Sequence, residues 1–357
     1  MKIIHCADLH LNSALSSLPS EQAKIRREEI LNNFERLCDY AIANDVSAVI
    51  IAGDMFDTTK VSSKVMGRVL YAISNCKNTD FLYLSGNHDD DLFLKSDNLP
   101  SNFKIFGSEW TYFNYNDVEI AGISFNSVNT LTFYDDINLS KDKINIAVLH
   151  GQVAGYKNTE PAEVISLPRL QGKNIDYLAL GHVHFYVDGI LDERGKYAYS
   201  GCLDARGFDE TGEKGFVLIN VEDGRLTKNF VEFGTRTFCE FTYDVTDKTS
   251  PYYVAEEIYS TITQNINSTS AVKIILRGQS MPELDIDIDS LAKRLNAYFF
   301  YAKIQDKTTL KIDIEDYKYD KSLKGEFVRT VLSSNLSEEE KSQVLMCGLR
   351  ALKGEEF

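Results

Sequence analysis

The sequence predicts an α/β protein: an α/β sandwich first, then a smaller α/β domain, and then two helices at the C-terminal end. Three observations predict this class. Apolar runs of strand length recur along the chain, each run stops at a polar turn that contains glycine, and helix-like stretches with one apolar face separate the first three runs. Strands that are buried on both faces and alternate with helices are typical of sheets covered by helices.

The first part of the chain supplies most of the predicted strands. Helix-like stretches with apolar residues on one face cover residues 21–43 and 62–74. Two later strand-like runs flank Glu222-Asp223-Gly224-Arg225, which predicts a β-hairpin that closes the sheet. The predicted strands of this part cover residues 2–7, 48–52, 81–84, 119–123, 144–149, 177–180, 197–200, 215–221 and 226–233.

The pattern changes near residue 235. A β-α-β-α-β order is predicted over residues 237–245, 253–266, 271–277, 288–295 and 299–306. Two amphipathic helices follow, one with Leu323, Phe327 and Val331 on its apolar face. The other opens with the capping box Ser337-x-x-Glu340 and ends at Lys353-Gly354. We therefore expect domains over residues 1–235 and 236–316 and a helical segment over residues 317–357.

Composition excludes several classes of protein. Of the 357 residues, 43% are hydrophobic and 25% charged, as in globular proteins and unlike disordered or collagen-like chains. The formal net charge of −15 excludes a wholly basic nucleic-acid coat protein, which would need many Lys and Arg side chains. The N-terminus does not resemble a signal peptide, and no long apolar run is present, so we expect a cytoplasmic protein with no membrane partner. Six scattered cysteines with no C-x-x-C pair indicate reduced thiols.

Five short polar motifs fall at or just after predicted strand ends. They are Asp8-Leu9-His10, Gly53-Asp54-Met55-Phe56-Asp57, Gly86-Asn87-His88-Asp89, His150-Gly151 and Gly181-His182-Val183-His184. Because loops at the carboxyl ends of strands gather at one edge of an open α/β sheet, we expect these motifs to converge. They offer seven potential metal ligands: Asp8, His10, Asp54, Asn87, His150, His182 and His184.

This set of donors indicates a site for two divalent metal ions. Mixed carboxylate, imidazole and amide ligands suit Mn²⁺, Fe²⁺ or Zn²⁺ better than they suit an all-thiolate zinc site or an all-oxygen calcium site. Seven ligands exceed what one ion needs when water and substrate must also bind, and a carboxylate shared between two ions would use them all. Two ions roughly 3.5 to 4 Å apart can support in-line attack on phosphorus. The motifs therefore predict phosphoester hydrolysis.

Over about residues 1–233, the five motifs resemble the motif series of the calcineurin-like metallophosphoesterases. The resemblance implies a four-layer α/β/β/α sandwich with two bound metal ions, manganese being expected first and iron or zinc being alternatives. It implies one ion held by Asp8, His10, Asp54 and His184. It implies a second ion held by Asp54, Asn87, His150 and His182, so that Asp54 bridges the two. His88 would then be a catalytic residue that is not a ligand, and Asp89 would orient it.

Further segments narrow the resemblance to one branch. No Asp-Arg-Gly sequence follows Gly53-Asp54, which disfavours the protein phosphatases of the superfamily. Residues 5–11, 53–57 and 201–216 resemble DNA-repair nucleases of the SbcD type. Residues 236–316 are similar in position and size to their capping domain, and residues 317–357 to the segment that docks on an SMC-like ATPase. This resemblance implies a DNA exonuclease, with endonuclease activity as an addition, that acts in DNA repair with an SMC-like ATPase subunit.

Several contacts and alternatives complete these expectations. Contacts with the substrate are predicted for Arg26, Arg27, Asp57, Lys60 and Arg206. A small-molecule or cyclic-nucleotide phosphodiesterase would use the same metals but would not need the second domain. A regulatory docking subunit of an ATPase complex is a third interpretation, and the intact ligand series argues against a purely non-catalytic subunit. A homodimer is a further alternative for the assembly.

Overall fold

The chain forms two compact units. The structure, a computed structural model, describes residues 1–57, 61–86, 99–125, 132–154, 164–281, 284–310 and 317–352. Contacts between residues divide it into Met1–Thr237 and Phe238–Phe357, and each unit is described by itself. The functions expected for the three predicted segments, namely nuclease, capping and docking, stay predictions. Strands and helices are numbered in chain order.

The first unit consists of short strands joined by helices and loops. Its strands are β1 (Lys2–Cys6), β2 (Ala48–Ala52), β3 (Asp80–Leu84), β4 (Phe103–Ile105), β5 (Thr111–Tyr115), β6 (Val118–Gly122), β7 (Ile144–His150), β8 (Gln152–Val153), β9 (Val164–Ile165), β10 (Tyr177–Gly181), β11 (Val187–Ile190), β12 (Lys196–Tyr199), β13 (Gly215–Glu222) and β14 (Arg225–Glu232). Its helices are α1 (Ser20–Ala43), α2 (Ser63–Asn75), α3 (Phe133–Asp136) and α4 (Leu167–Leu170).

Two six-stranded sheets pack face to face in this unit. The first has the strand order β14-β13-β1-β2-β3-β4 and the second the order β11-β12-β10-β7-β6-β5. Strands β1 to β4 run parallel in the first sheet, as do β12, β10, β7 and β6 in the second. Apolar side chains from both sheets, among them Ile50 of β2 and Val148 of β7, form one core between them. The predicted α/β class is confirmed, and the predicted hairpin is β13 paired antiparallel with β14.

Helices and loops cover the outer faces of the two sheets. On the first sheet, α1 buries Phe34 and Leu37, and its Tyr40 contacts Phe216 of β13. On the second sheet, the short helix α3 contributes Phe133 to an outer core that includes residues of β10 and β12. The predicted four layers are therefore present, although the described residues of the layer on the second sheet form only short helical turns and loops. Within the described ranges, no helix is long and apolar enough to cross a membrane.

One buried polar pair links the two sheets. His5 Nδ1 of β1 and the hydroxyl oxygen of Tyr177 of β10 lie 2.8 Å apart inside the core. Complete burial disfavours the charged imidazolium and lowers the pKa of His5 from 6.5 to about 3. The imidazole is therefore neutral in the folded protein at neutral pH.

The low pKa of His5 predicts a specific pH dependence of stability. Unfolding restores an imidazole that binds a proton below about pH 6.5, so the unfolded state gains protons first as the pH falls. His5 therefore reduces the free energy of unfolding by roughly 1.4 kcal/mol per pH unit between pH 6.5 and pH 3. Urea unfolding from pH 4 to pH 7 is expected to show a shallower loss of stability for His5→Gln than for the unsubstituted protein. Equal slopes for the two proteins would contradict this expectation.

The second unit contains a small parallel sheet. Its strands are β15 (Phe238–Asp244), β16 (Ala271–Arg277), β17 (Gln279–Ser280), β18 (Tyr301–Asp306) and β19 (Thr309–Leu310). Its helices are α5 (Pro251–Asn265), α6 (Ile288–Tyr298), α7 (Leu323–Leu332) and α8 (Glu338–Leu352). Strands β15, β16 and β18 pair in parallel, and Ile258 of α5 and Leu295 of α6 share a core with Ile274 of β16. The predicted β-α-β-α-β order is present.

Helices α7 and α8 pack on each other through a small core that includes Val328, Val331 and Leu345. The predicted capping box opens α8. The Ser337 hydroxyl accepts a hydrogen bond from the Glu340 backbone N–H at 3.3 Å, and the Glu340 carboxylate accepts one from the Ser337 N–H at 2.8 Å. The predicted end at Lys353-Gly354 lies outside the described residues.

Sequence patterns missed some strands and shifted some boundaries. Strands β4, β5 and β11 were not predicted, because all three are partly buried edge strands without a strong apolar run. The two-residue strands β8, β9, β17 and β19 were not predicted either. Helix α6 continues to Tyr298, and the Phe299 N–H still donates to the Leu295 carbonyl. The apolar pair Phe299-Phe300, predicted to begin a strand, therefore forms the turn before β18 instead.

Candidate metal centre

Four strands lead to the predicted ligands that lie in the described part of the chain. Asp8 follows β1 and Asp54 follows β2 in the first sheet, whereas His150 ends β7 and His182 follows β10 in the second. At this edge the two sheets touch: a Cβ atom added to Gly181 would lie 1.8 Å from the carbonyl oxygen of Ala52. Only glycine permits this approach of β10 to β2. The carboxyl ends of the parallel strands thus converge as the motif positions predicted.

The described side chains form two overlapping groups of potential metal ligands. Donor atoms of Asp8, His10 and His184 lie within 4.8 Å of one another, and so do those of Asp8, Asp54 and His150. Asp54 of the second group also approaches the first group, because its Oδ2 lies 3.8 Å from His10 Nε2. The same oxygen lies 3.4 Å from His150 Nε2 within the second group. Asp8 and Asp54 therefore both lie between the two groups.

The backbone at this place is held in an unusual conformation. Asp8, His10 and Asp54 have positive φ angles of 50°, 43° and 51°, and His182 has a φ of 99°. Residues other than glycine rarely adopt this region, and such strain is concentrated at functional sites. Hydrogen bonds between loops fix it: the Asp8 N–H donates to the Gly53 carbonyl at 3.0 Å and the His10 N–H donates to the Asp54 carbonyl at 3.0 Å. These hydrogen bonds tie the loop after β1 to the loop after β2.

Two imidazoles face each other in a way that fits a shared cation. The Nε2 atoms of His10 and His184 lie 3.2 Å apart. Their Nδ1 atoms point away, each to a carboxylate oxygen: His10 Nδ1 lies 3.0 Å from Asp57 Oδ1, and His184 Nδ1 lies 2.8 Å from Glu210 Oε1. A carboxylate only accepts, so these two contacts favour the tautomer with the proton on Nδ1, whereas the Arg206 guanidinium, a pure donor 3.1 Å from His184 Nδ1, favours the other tautomer for His184. With the proton on both Nδ1 atoms, the two Nε2 lone pairs would face each other, and a metal ion bound to both would remove their repulsion.

In the second group of donors, the Nδ1 atom of His150 also contacts a hydrogen-bond acceptor and its Nε2 atom faces the site. Its Nδ1–H donates to the Ala52 carbonyl at 2.9 Å, which leaves Nε2 facing the Asp54 carboxylate. Burial disfavours the charged imidazolium, but the Asp54 carboxylate outweighs burial and raises the pKa of His150 to about 10. The pKa of the adjacent His182 is lowered by burial and by the His150 charge. The Asp54 carboxylate therefore favours positive charge beside it, which suits the binding of a divalent metal ion.

A second layer of side chains surrounds the site: Asp57 and Arg206, which were predicted as substrate contacts, and Glu210, which was not predicted as a site residue. Glu210 is almost fully buried beside His184, and Arg206 contacts both Glu210 and Asp57. Burial opposes the charge on Glu210, yet hydrogen bonding from His184 and the Arg206 charge hold its pKa well below the usual range. The spacing Arg206-x-x-x-Glu210 inside the segment 201–216 was the available signal for this pair.

Two of the predicted substrate contacts have other partners. Arg26 is fully buried, where its Nε donates to the Ala205 carbonyl at 2.9 Å and its guanidinium pairs with Asp204. A group without exposed surface cannot meet a DNA phosphate, so the prediction for Arg26 was wrong, and this arginine anchors the loop before Arg206 instead. Arg27 is exposed and donates to the Ala14 carbonyl at 3.0 Å.

The other predicted substrate contacts and catalytic residues fall into two sets, one inside and one outside the described part of the chain. Asp57 is partly exposed and accepts a hydrogen bond from the Ser13 hydroxyl at 3.0 Å, so its nearest partners are protein groups. Arg206 is 17% exposed at its side chain and lies between Asp57 and Glu210. Lys60, Asn87, His88 and Asp89 lie outside the described residues.

The first unit is an α/β sandwich that gathers aspartates and histidines at the carboxyl ends of its parallel strands, where they could hold a metal ion. The sequence profile described as "Calcineurin-like phosphoesterase" matches residues 1–186, more than half of the chain. The chain belongs to the calcineurin-like phosphoesterase family. This match confirms the resemblance of the five motifs to the family. It also supports the prediction of a metallophosphoesterase, a hydrolase of a family that uses divalent metals.

Several individual proteins are similar to parts of this chain. A Bacillus subtilis (strain 168) protein described as "Uncharacterized metallophosphoesterase YhaO" is 26% identical over 302 residues, which cover 78% of this chain and 72% of that protein. Among solved structures, a dimetal phosphatase from Danio rerio matches with a TM-score of 0.43 at 11% identity, over 64% of this chain and 95% of its own. A Pseudomonas putida nuclease named MPE matches with a TM-score of 0.27 at 15% identity, over 64% of this chain and 87% of its own.

Proposed function

We propose that the chain is a two-metal-dependent phosphodiesterase that hydrolyses DNA phosphodiester bonds as an exonuclease, with endonuclease activity in addition, in DNA repair. One observation carries the catalytic part of the proposal: the buried carboxylates and imidazoles of Asp8, His10, Asp54 and His150 converge with His184 at the junction of the two sheets. The choice of DNA rests on the SbcD-type resemblance of residues 5–11, 53–57 and 201–216.

The proposal assigns the ligands of two divalent ions, with manganese as the expected metal. One ion would be held by Asp8, His10 and His184, which form the first group of donors, together with Asp54. The Asp54 Oδ2 atom lies 3.8 Å from His10 Nε2. The other would be held by Asp54, Asn87, His150 and His182. Divalent ions at such a site neutralise charge on phosphoryl oxygens and supply a water-derived nucleophile at neutral pH.

The protein's own groups have separate tasks in this scheme. Both carboxylate oxygens of Asp8 accept a hydrogen bond from the His182 N–H, at 2.9 and 3.1 Å, which fixes how the carboxylate faces the site. The Ala52 carbonyl keeps the Nδ1 proton on His150 and so leaves Nε2 as the donor atom. We assign to His88 the protonation of the leaving oxygen or stabilisation of phosphoryl charge, with Asp89 as its orienting partner.

The negative net charge of the chain suggests that a partner contributes to DNA binding. The formal net charge of the chain is −15, and DNA affinity in most proteins comes largely from Lys and Arg contacts with phosphates. Two bound divalent ions add positive charge only at the site itself. We therefore propose that the isolated chain binds DNA weakly and that an SMC-like ATPase partner supplies positively charged surface.

A cleavage assay tests the proposed substrate. The full chain with Mn²⁺ is incubated with end-labelled single-stranded and double-stranded DNA and, separately, with a chromogenic phosphodiester and cyclic nucleotides. Release of nucleotides from DNA that stops on addition of EDTA is the expected result. Hydrolysis of the small diesters with intact DNA would overturn the DNA proposal in favour of a small-molecule phosphodiesterase, and no hydrolysis of any substrate would favour a docking subunit.

Helices α7 and α8 are the proposed docking region for the ATPase. Leu323 at the start of α7 and Tyr319 just before it are 73% and 83% exposed, although both are apolar or aromatic. A tagged chain with Leu323→Ser and Tyr319→Ser is expected to lose a co-purifying ATPase that the unsubstituted chain retains. Retention of the ATPase by the double variant would contradict docking through this surface.

A further inference from the structure

We propose that Arg206 is a positioning residue of the metal centre: it ties together the two carboxylates that orient His10 and His184, so that both imidazoles face one cation. This inference rests on the metal-dependent part of the proposed function and does not depend on DNA as the substrate. Under this inference Arg206, Asp57 and Glu210 orient the histidine ligands. Arg206 and Asp57 then do not contact substrate phosphates.

The contacts form a closed circuit around the facing imidazoles. From His10 Nδ1 the circuit runs 3.0 Å to Asp57 Oδ1, and from there 3.2 Å to Arg206 Nη1. Arg206 Nη2 and Nε donate to Glu210 Oε1 at 2.6 and 2.9 Å, and Glu210 Oε1 lies 2.8 Å from His184 Nδ1. The circuit closes where the two Nε2 atoms lie 3.2 Å apart.

The planar guanidinium suits this position. Its fixed fork of donors can meet two carboxylates at once, whereas a lysine ammonium is a point charge that cannot hold both in a defined geometry. Arg206 also compensates Glu210, whose side chain is only 2% exposed and would otherwise be a buried carboxylate with its charge poorly balanced. The Arg206 backbone N–H adds a further hydrogen bond to Glu210 Oε2 at 2.7 Å.

The loop that carries Arg206 is itself held in place. The buried guanidinium of Arg26 on α1 donates twice to the Ala205 carbonyl, at 2.9 and 2.8 Å, and pairs with Asp204. Asn33 of α1 donates to Asp204 at 3.0 Å. The residue before Arg206 is thus fixed to the longest helix of the first unit, so the guanidinium has a rigid base from which to hold the two carboxylates.

A metal titration without substrate tests this role. Chain stripped of metal with EDTA is titrated with Mn²⁺ by calorimetry, and Co²⁺ absorption reports the ligand geometry. Arg206→Met is expected to weaken Mn²⁺ binding by about 10- to 100-fold, as loss of groups that orient metal ligands does elsewhere. Arg206→Lys, which keeps the charge but not the fork, is expected to fall between Arg206→Met and the unsubstituted chain. Arg169→Met removes an exposed arginine that also pairs with a carboxylate, Asp135, and is expected to leave binding unchanged.

A double-variant comparison separates positioning from simple loss of a charge. If Arg206 acts through Glu210, the losses of affinity in Arg206→Met and Glu210→Gln should not add when the two changes are combined. Removal of a nearby positive charge alone would strengthen cation binding, so tighter Mn²⁺ binding by Arg206→Met would overturn the inference. Unchanged Mn²⁺ affinity with a raised KM for a phosphodiester would overturn it in favour of direct substrate contact.

Two controls cover a variant that does not fold and a chain that does not bind metal. If Arg206→Met does not fold, Asp57→Asn at the more exposed end of the circuit makes the same comparison through His10, and wild-type affinity in that variant would overturn the inference. If the unsubstituted chain binds no Mn²⁺, Zn²⁺ or Fe²⁺, the proposed function fails and the inference with it. Tight binding by the unsubstituted chain and by Arg206→Met alike would overturn the inference only.

Discussion

Asp54→Asn is expected to abolish phosphodiester hydrolysis, with a loss of turnover of about 10³-fold or more. The Asp54 carboxylate lies 3.4 Å from His150 Nε2 and 3.8 Å from His10 Nε2, so it is an anion within reach of both groups of donors. Asparagine keeps the size of the side chain but removes the charge that draws cations to both places. The measurement is the rate of Mn²⁺-dependent hydrolysis of a chromogenic phosphodiester, together with bound metal per chain.

A matched control uses an aspartate elsewhere in the first unit. Asp135 is 74% exposed at its side chain and pairs with Arg169 on the surface, so Asp135→Asn is expected to keep full turnover and full metal content. Turnover that survives in Asp54→Asn at the level of this control would contradict the assignment of Asp54 to the metal centre.

Gly181→Ala is expected to cost about 3 kcal/mol or more in the free energy of unfolding of the first unit. The new Cβ atom would lie 1.8 Å from the Ala52 carbonyl oxygen and 2.8 Å from His150 Nδ1. Because the first of these is a backbone atom of the facing sheet, relief requires the sheets to separate at the metal centre. Differential scanning calorimetry is expected to show an unfolding temperature lower by roughly 6 to 12 °C, with metal binding impaired.

The control for this substitution is a glycine with open space around it. Gly67 lies inside α2, and an added Cβ atom would meet nothing within 4 Å. Gly67→Ala is expected to raise stability by about 0.5 to 1 kcal/mol, because alanine favours helix more than glycine does. An unfolding temperature of Gly181→Ala equal to that of the unsubstituted chain would show that β10 and β2 do not approach this closely.

The convergence of the site could be predicted from sequence because it depends on a simple rule. Parallel strands end at the same edge of a sheet, so Asp8 after β1 and Asp54 after β2 had to lie near each other. The approach of a second sheet, which brings His150 and His184, was expected only from the resemblance to the calcineurin-like metallophosphoesterases, which implies a four-layer sandwich. The structure places these side chains together, while their roles as ligands stay proposals.

The supporting residues could not be found in the same way. Glu210 and Arg206 lie after β12 in an irregular segment, and nothing in the local sequence shows that this segment folds back onto His184. Arg26 shows the reverse error: an arginine on a predicted helix is normally solvated, and only the tertiary packing of α1 on residues 204–205 reveals that it is buried. Local patterns report periodicity, and such contacts between distant segments are not periodic.

The fold also contains elements that local sequence patterns could not predict, among them edge strands. Strand β5 is partly polar and its burial is intermediate, so it lacks the apolar run that predicted its neighbour β6. The capping box of α8 was predicted correctly because both of its partners, Ser337 and Glu340, lie three residues apart in the chain. Features fixed by neighbouring residues were predictable, and features fixed by tertiary pairing were not.

Anomalous diffraction from crystals grown with Mn²⁺ tests the central proposal most directly. Data collected at the manganese edge are expected to show two peaks roughly 3.5 to 4 Å apart, on either side of the Asp54 carboxylate. One peak is expected to lie beside the Nε2 atoms of His10 and His184 and the other beside Nε2 of His150. No peak at these positions, or a single one that His150 does not contact, would contradict a two-metal phosphodiesterase.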